Sequence, residues 1–312
     1  MKAEDFRIIF LGTPDFAVTS LDGLVRAGMK VVAVVTAPDK PSGRGLNAAP
    51  SAVKKYAVEK NIPVLQPEKL KDPGFIETLR SYRADIQVVV AFRMLPEIVW
   101  NMPPLGTINV HGSLLPQYRG AAPIHRAVMN GEKETGVTTF RLQHAIDTGG
   151  ILMQASMPIG ENENTGTIYQ KLSVLGSEVL VKTIRGIAAG ELKEQPQENL
   201  LQEPLHTAPK IFTEDCIIHW NQPAKVIHNL IRGLSPSPGA LTQLNGKTLK
   251  IYSAHPIVKA HSFLPGTIES DGKNQLLFAT SDGWIAVQEL QLEGKKRMTI
   301  PEFLRGYRIA PM

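Results

Sequence analysis

The sequence predicts an α/β domain built on a doubly wound, mainly parallel sheet, followed by a smaller C-terminal β-barrel domain. Over the first two thirds of the chain, short runs rich in β-branched residues alternate with helix-like segments. A polar, proline-containing stretch follows. The final third carries short strand patterns separated by Asn-Gly and Asp-Gly dipeptides.

The strands of the first domain are predicted from their composition. Six runs qualify, at 7–12, 31–36, 62–66, 86–92, 107–111 and 137–142. Near-continuous apolar strands are typical of a parallel, Rossmann-like sheet that helices cover on both faces. Ligands then bind beyond the carboxyl ends of the strands. A longer helical pattern at 165–189 is predicted to close this domain.

The segment at 190–209 lacks clear periodicity, so we predict a linker from about residue 190 and a domain boundary at 208/209. The first domain then spans 1–208 and the second 209–312. A helical pattern at 224–232 is followed by the turn dipeptides at 245–246, 271–272 and 282–283. Such dipeptides favour tight hairpins, which predicts a small, OB-like antiparallel barrel.

Composition excludes several classes of protein. The chain has 312 residues, of which 43% are apolar and 20% charged, as expected for a water-soluble protein with two cores. Its apolar runs fall far short of the roughly 20 residues that span a bilayer, and its N-terminus does not resemble a secretory signal. We therefore expect a cytoplasmic protein. The single cysteine, Cys216, supports neither a disulfide nor a structural zinc site.

The net charge of +5 is unevenly placed. Residues 209–312 hold 12 Lys and Arg against 8 Asp and Glu, whereas residues 1–208 hold 22 against 21. Such a basic segment is either an ordinary solvated surface or the binding surface for an anionic partner such as RNA.

The first strand ends in a single glycine, Gly12, where a dinucleotide fingerprint requires three. The sequence therefore disfavours an enzyme that uses nicotinamide. Gly12 and Pro14 on their own indicate only a turn from strand to helix.

The strand at 107–111 has one polar face. Because side chains alternate, Thr107, Asn109 and His111 share one side of the sheet, and Ile108 and Val110 the other. Buried polar side chains need partners, so this row is expected near a cleft at the end of the sheet. A lone histidine is more often structural than catalytic, and spacing alone leaves both interpretations open.

A carboxylate, Asp147, lies in the loop after the strand at 137–142. A loop aspartate usually belongs to a turn. In a parallel sheet, however, this loop would emerge at the same edge as Asn109 and His111. The three side chains would then supply an amide donor, an imidazole and a carboxylate, a set suited to acyl transfer to an amine.

Several segments carry a family resemblance. NVHGSLLPQYRGAAP at 109–123 and IDTGGIL at 146–152 resemble the formyltetrahydrofolate-utilising formyltransferases. GTPDFA at 12–17, PDKPSGRG at 38–45, LSPSPGA at 234–240 and GKKRM at 294–298 resemble the branch of that family that formylates the methionyl group on initiator tRNA.

The resemblance implies 10-formyltetrahydrofolate as formyl donor, methionyl initiator tRNA as acceptor and no metal. It places Asn109, His111 and Asp147 at catalytic positions. It also implies a folate site lined by Ser113, Leu114, Leu115, Pro116 and the backbone from Val90 to Leu95.

Basic residues are the candidates for tRNA binding. Arg44 lies between two glycines in a loop that should leave the same edge of the sheet. The candidates in the second domain are Lys247, Lys250, Lys295, Lys296 and Arg297. Only their grouping on one face would favour RNA over an ordinary solvated surface.

Three alternative functions remain open. Formyl transfer to a small phosphorylated amine in purine synthesis needs no basic C-terminal domain. Hydrolysis of the same folate would use water in place of the amine. An RNA-binding module without catalysis would have no use for Asn109, His111 and Asp147 together.

Overall fold

The computed structural model describes residues 2–42, 47–201 and 204–309. The chain divides into two units, each built around its own sheet. The first unit comprises 1–120, 135–157 and 169–207, and the second comprises 121–134, 158–168 and 208–312. The second unit thus includes two segments from the first two thirds of the sequence as well as the C-terminal third.

The helices and strands of the first two thirds of the chain begin and end as follows. The strands are β1 Arg7–Gly12, β2 Lys30–Val35, β3 Lys40–Ser42, β4 Asn47–Ala49, β5 Val64–Leu65, β6 Ile86–Val90, β7 Thr107–His111, β8 Glu134–Arg141 and β9 Ile151–Pro158. The helices are α1 Asp15–Arg26, α2 Ala52–Glu59, α3 Pro73–Ser81, α4 Glu97–Trp100, α5 Pro123–Met129 and α6 Thr165–Ala189.

The central sheet has the order β5-β2-β1-β6-β7-β8-β9. The strands from β5 to β7 are parallel, which confirms the mainly parallel α/β sheet. Their apolar runs are buried because helices cover both faces, and β6 is buried at every position. The chain leaves β1 towards β2 and later returns to β6 on the other side of β1. Ligands of such sheets bind at this change of direction, beyond Gly12 and Val90.

The prediction of a parallel β8 is wrong. β8 is antiparallel to β7, with Thr138 opposite His111 and Arg141 opposite Ile108. β9, a strand that the sequence analysis does not predict, extends the sheet beyond β8. The alternation of apolar residues is the same for either direction, so a strand's composition does not reveal its direction.

The C-terminal third contains α7 Ala224–Gly233, α8 Ile300–Gly306 and a second sheet. Its strands are β10 Ala240–Leu244, β11 Lys247–Val258, β12 Ile268–Ser270, β13 Leu276–Ala279, β14 Gly283–Leu292 and β15 Met298–Thr299. The order is β10-β11-β14-β13-β12, with β15 paired to β14. Neighbouring strands along this order run antiparallel, which confirms a second, antiparallel sheet.

The predicted turn dipeptides at 245–246 and 271–272 lie between strands, whereas the third ends at Gly283, the first residue of β14. Asn245 and Gly246 join β10 to β11, with φ of 50° and 75°. Positive φ at both positions suits a two-residue hairpin, which asparagine and glycine adopt at low cost. The core beneath this sheet is formed by apolar residues of α7, α8 and the strands, including Ile231, Phe278 and Phe303.

The segment predicted as a linker is partly ordered against the first unit. Gln195 forms an antiparallel bridge with Ile151, and a 3-10 helix spans Gln197–Leu200. The side chain of Gln197 is completely buried. The polar composition of this segment therefore reflects specific hydrogen bonds as well as solvent exposure.

No helix among the described residues is long and apolar enough to cross a membrane.

Candidate active site

Strand β7 carries Asn109 and His111 on one face of the first sheet. Ile108 and Val110 point to the other face, where they are buried in the core. The strand is held by β6 on one side, with Val89 opposite Asn109, and by β8 on the other. It is therefore an interior strand, and its backbone fixes the direction of both polar side chains.

The third polar residue on this face, Thr107, has a structural role. Its hydroxyl donates to the carbonyl of Trp100 at 2.6 Å and lies 3.2 Å from Oε1 of Gln87. Asn109 differs from it. Asn109 is half-buried, and no group in the described part of the chain is hydrogen-bonded to its amide. That amide is available to a bound molecule.

The imidazole of His111 is held by a backbone carbonyl. Nε2 lies 2.9 Å from the carbonyl oxygen of Tyr118, and the residue is only 6% exposed. A carbonyl accepts hydrogen bonds and cannot donate them, so Nε2 carries the hydrogen. Tyr118 has a φ of 60°, and its N–H donates to the carbonyl of His206 at 2.7 Å. The left-handed conformation of Tyr118 therefore belongs to a fixed turn.

Asp147 faces the other nitrogen of the same ring. Its Oδ2 lies 3.8 Å from His111 Nδ1 and accepts a hydrogen bond from the Gly120 N–H at 2.9 Å. Asp147 has a φ of 53°, a conformation that Asp and Asn adopt more readily than most residues. The carboxylate therefore carries a charge close to His111 without a direct hydrogen bond to it.

The convergence of Asp147 with His111 was predicted for a wrong reason. Since β8 is antiparallel, its end at Arg141 lies beside Ile108, at the start of β7. The loop that follows must run back towards the end of β7 to reach His111. The N–H of Gly120 holds it there through the carboxylate of Asp147.

The turn after His111 is fixed by the hydroxyl of Thr138. That hydroxyl donates to the carbonyl of Ser113 at 2.7 Å and accepts from the N–H of Leu115 at 3.1 Å. Ser113 Oγ donates to the carbonyl of Gln117. Ser113, Leu115 and Pro116 are buried, whereas Leu114 is half-buried. These residues form a rigid turn that exposes little of their side chains.

Val90 and Leu95 are also buried, and they flank a short exposed loop. Val90 lies opposite Gly12, where an added Cβ would lie 3.0 Å from the Val90 carbonyl oxygen and 2.6 Å from Cβ of Ala17. Glycine is required at this close approach. Ala91 follows with a φ of 46°, so the backbone turns sharply at the carboxyl end of β6.

The candidate tRNA-binding residues are placed unequally. Arg44 lies outside the described residues. Lys247, Lys295 and Lys296 are exposed, whereas Lys250 is half-buried. Lys250 Nζ donates to the carbonyl of Pro238 at 3.2 Å.

Arg297 is already engaged within the second unit. Its guanidinium is paired with the Glu289 carboxylate and lies 4.2 Å from the ring centroid of Tyr252. Tyr252 in turn donates to Gln291, which is opposite Lys250 in the sheet. Lys250 and Arg297 therefore flank the same part of the sheet surface.

Within residues 2–42, 47–201 and 204–309, no group of three or more His, Cys, Asp or Glu side chains could hold a metal ion. The polar groups that the site offers are the amide of Asn109, the imidazole of His111 and the carboxylate of Asp147. Together they can donate to an oxygen that gains negative charge and can accept a proton.

Sequence reasoning did not identify the groups that fix this site. Thr138 and Tyr118 act through a hydroxyl and a backbone carbonyl, which have no distinctive sequence pattern. The NVHGSLLPQY segment contained Tyr118, but nothing in it pointed to the carbonyl as the partner of His111.

Two family models match the chain. The model "Formyl transferase" matches residues 6–184, and the model "Formyl transferase, C-terminal domain" matches residues 210–308. The matched ranges include the whole candidate site and the second sheet.

Curated relatives are similar along their whole length. A protein of Bacteroides fragilis named methionyl-tRNA formyltransferase is 51% identical over 315 residues, which cover 99% of this chain and 97% of that protein. A protein of the same name from Parabacteroides distasonis is 52% identical over 316 residues, with 99% and 98% covered.

Solved structures share the fold. WlaRD, a sugar 3N-formyl transferase, superposes with a TM-score of 0.67 at 20% identity, over 93% of this chain and 99% of that one. HypX from Aquifex aeolicus, in complex with tetrahydrofolic acid, gives a TM-score of 0.66 at 20% identity, over 98% of this chain and 49% of that one.

Proposed function

The chain belongs to the formyl transferase family, in its methionyl-tRNA formyltransferase branch, and from this premise we infer how its residues perform the reaction. The enzyme transfers the formyl group of 10-formyltetrahydrofolate to the α-amino group of methionyl initiator tRNA. The product is N-formylmethionyl-tRNA for translation initiation. Its partners are the folate and the tRNA, and we place its activity in the cytoplasm.

The observation that carries the proposed mechanism is the setting of His111. Its ring is fixed by Tyr118 through Nε2, while Nδ1 faces the Asp147 carboxylate across a gap of 3.8 Å. A direct hydrogen bond between Nδ1 and the carboxylate would leave neither group free to bind a substrate. The gap instead leaves them able to act on a substrate atom or a water molecule between them.

The reaction begins when the neutral amine attacks the formyl carbon. A C–N bond forms, and the formyl oxygen gains negative charge as the carbon becomes tetrahedral. The Asn109 amide donates to this oxygen, and an N–H of the His111 ring adds a second donor. Donors already in place act mainly on the transition state, where one such donor contributes on the order of 3 kcal/mol.

The intermediate then breaks its bond to N10 of the folate. The amine has lost one proton and N10 has gained one, so the proton has only to move between the two nitrogens. We propose that Asp147 accepts the proton from the amine, directly or through water, and that this proton then passes to N10. These steps need no metal, because the donors of Asn109 and His111 stabilise the charge on the oxygen.

The folate occupies the carboxyl ends of β1 and β6 in this proposal. The turn from Ser113 to Pro116 and the backbone from Val90 to Leu95 line it, and the two ends of the second segment, Val90 and Leu95, are buried. Gly12 lies at the same place, where it packs closely against Ala17 and Val90. This location agrees with the general position of ligands in doubly wound sheets.

For the domains, we propose that residues 1–208 carry the chemistry, with the linker from about 190, and that residues 209–312 bind tRNA. A chain that ends at residue 208 should retain a formylfolate site and lose most affinity for tRNA. It should also melt lower, because the segments 121–134 and 158–168 would lose the rest of their unit. Undiminished tRNA binding by the shortened chain would contradict this assignment.

The test of the function compares three acceptors, each in a separate reaction. The protein is incubated with 10-formyltetrahydrofolate and, separately, with methionyl initiator tRNA, a phosphorylated amine of purine synthesis, or water alone. We expect base-stable formylmethionine with the tRNA and no comparable product with the others. Preferred formylation of the small amine, or folate hydrolysis at the same rate without tRNA, would contradict the proposal.

A further inference from the structure

One segment of the first unit contacts both loops that build the candidate site. It comprises the described residues 195–201 and 204–207, and we call it the strap. At one end, the backbone of Gln195 exchanges two hydrogen bonds of 2.8 Å with Ile151, just after the Asp147 loop. At the other end, the His206 carbonyl accepts from the Tyr118 N–H, and Thr207 forms a bridge with Arg119.

Gln197 lies between these two ends, and both halves of its buried amide are hydrogen-bonded. Nε2 donates to the carbonyls of Asp147 and Gly149, each at 2.8 Å. Oε1 accepts from Nη2 and Nε of Arg119, at 2.7 and 3.0 Å. One side chain therefore joins the Asp147 loop to the turn that follows Tyr118.

The two joined loops hold opposite sides of the His111 ring. Tyr118, immediately before Arg119, provides the carbonyl for Nε2, and Gly120, immediately after it, donates to the Asp147 carboxylate. A shift of Arg119 relative to Asp147 would therefore change the gap on the Nδ1 side of the ring. Misplacement by about 1 Å can cost on the order of 100-fold in rate.

We propose that Gln197 is a positioning residue, which fixes the distance between His111 and Asp147 by tying their two loops together. The proposal rests on the proposed catalytic role of Asp147. Glutamine suits the position because two carbonyls require donors and a guanidinium requires an acceptor. Glutamate lacks the donors, and methionine lacks both functions while it keeps a similar length.

The first experiment compares Gln197→Met with Gln195→Met. Gln195 is the matched control because its side chain is exposed and only its backbone bonds to Ile151. We expect Gln197→Met to lower kcat about 10- to 100-fold and to leave the KM for 10-formyltetrahydrofolate within about two-fold. Gln195→Met should keep both constants. An unchanged kcat in Gln197→Met would overturn the proposal.

A double-mutant cycle separates positioning from general loss of structure. If Gln197 acts through Asp147, then Gln197→Met should lower kcat little further once Asp147→Asn is present. Two losses that multiply would show that Gln197 acts elsewhere. The single variant Asp147→Asn tests the role of the carboxylate itself. A normal rate in that variant would refute the proposed mechanism, and this outcome is distinguishable from failure of the inference about Gln197.

Further variants keep the inference testable if Gln197→Met folds poorly. Arg119→Met breaks the same link from the other side, and we expect a similar loss of kcat. Gln197→Glu keeps the acceptor for Arg119 and removes both donors to the Asp147 loop, so it should also be slow. Full activity in either variant, with a normal melting temperature, would contradict the proposed link.

Discussion

His111 and Asp147 face each other across 3.8 Å, measured from Nδ1 to Oδ2, which exceeds the length of a hydrogen bond. The ring is oriented by the Tyr118 carbonyl on its opposite side, so the carboxylate is not needed to hold it. Asp147 is itself held by the Gly120 N–H. In the proposed mechanism, the property of Asp147 that matters is therefore its carboxylate charge, held at this distance from the ring.

This relationship predicts the effect of Asp147→Asn. Asparagine tolerates the left-handed backbone of this position, and its side-chain oxygen can still accept from the Gly120 N–H. We expect a normal melting temperature and a fall in kcat on the order of 100-fold or more, because the proton acceptor is lost. Steady-state kinetics beside a melting curve provide the measurement. A kcat close to that of the unmodified protein would show that the carboxylate only supports the loop.

Asn109→Ala should separate activity from stability. Its amide has no hydrogen bond within the described part of the chain, so its removal should change the free energy of unfolding little. The kcat should fall by a factor that corresponds to ~3 kcal/mol, as for the loss of an oxyanion donor.

The matched control for Asn109 is Thr107→Val on the same face. Its hydroxyl bonds to Trp100 and Gln87, so this variant should lose about 1 kcal/mol of stability and keep its kcat. If Asn109→Ala instead destabilised the protein and kept full turnover, the roles assigned to the two residues would be reversed.

The salt dependence of tRNA binding tests the basic candidates. Each phosphate contact removed should lower the slope of log affinity against log salt by about 0.7 to 0.9. We expect this change for Lys295→Ala and Lys296→Ala, whose side chains are exposed. Arg297→Ala should change the slope less, because Arg297 is paired with Glu289 and stacked on Tyr252. A larger effect at Arg297 than at either lysine would argue that it leaves Glu289 to bind RNA.

The second unit contains a buried histidine with a predictable effect on stability. Burial lowers the pKa of His228 to about 4, with the positive charges of Arg232, His255 and Lys225 contributing, while Glu161 opposes the shift. The unfolded chain binds this proton below about pH 6.5, and the folded chain only below about pH 4. The free energy of unfolding should therefore fall as pH drops through that window, by up to about 3 kcal/mol.

The measurement is the difference in unfolding free energy between the unmodified protein and His228→Gln at several pH values. Other titrating groups cancel in this difference. We expect the variant to gain relative stability between pH 6.5 and pH 4 and none at higher pH. A difference that does not change with pH would show that His228 is protonated equally in both states.

Much of the fold follows from local patterns. The strand at 107–111 and the helix at 165–189 have the bounds that their periodicity predicts, and the Asn245-Gly246 turn joins two strands as its φ preferences require. These features depend on neighbouring residues alone. The direction of β8 cannot be predicted from neighbouring residues, because its pairing with β7 depends on the route of the chain in three dimensions.

The sequence predicted only those residues of the site whose side-chain chemistry suits the reaction. Asn109, His111 and Asp147 were identified from their chemistry and from a resemblance. Gln197 was placed in a linker because its surroundings are polar and rich in proline, yet it is buried and bonded to two loops. A buried amide with several long-range partners cannot be distinguished, in one sequence, from an exposed one.

The most direct test of the central claim is the single-turnover rate of formyl transfer by His111→Ala, with saturating 10-formyltetrahydrofolate and methionyl initiator tRNA. Saturation removes differences in binding, so the rate reports the chemical step. We expect a rate lower by on the order of 100-fold or more in a protein that still folds. A rate within about three-fold of the unmodified protein would contradict the claim that His111, placed between Tyr118 and Asp147, takes part in the reaction.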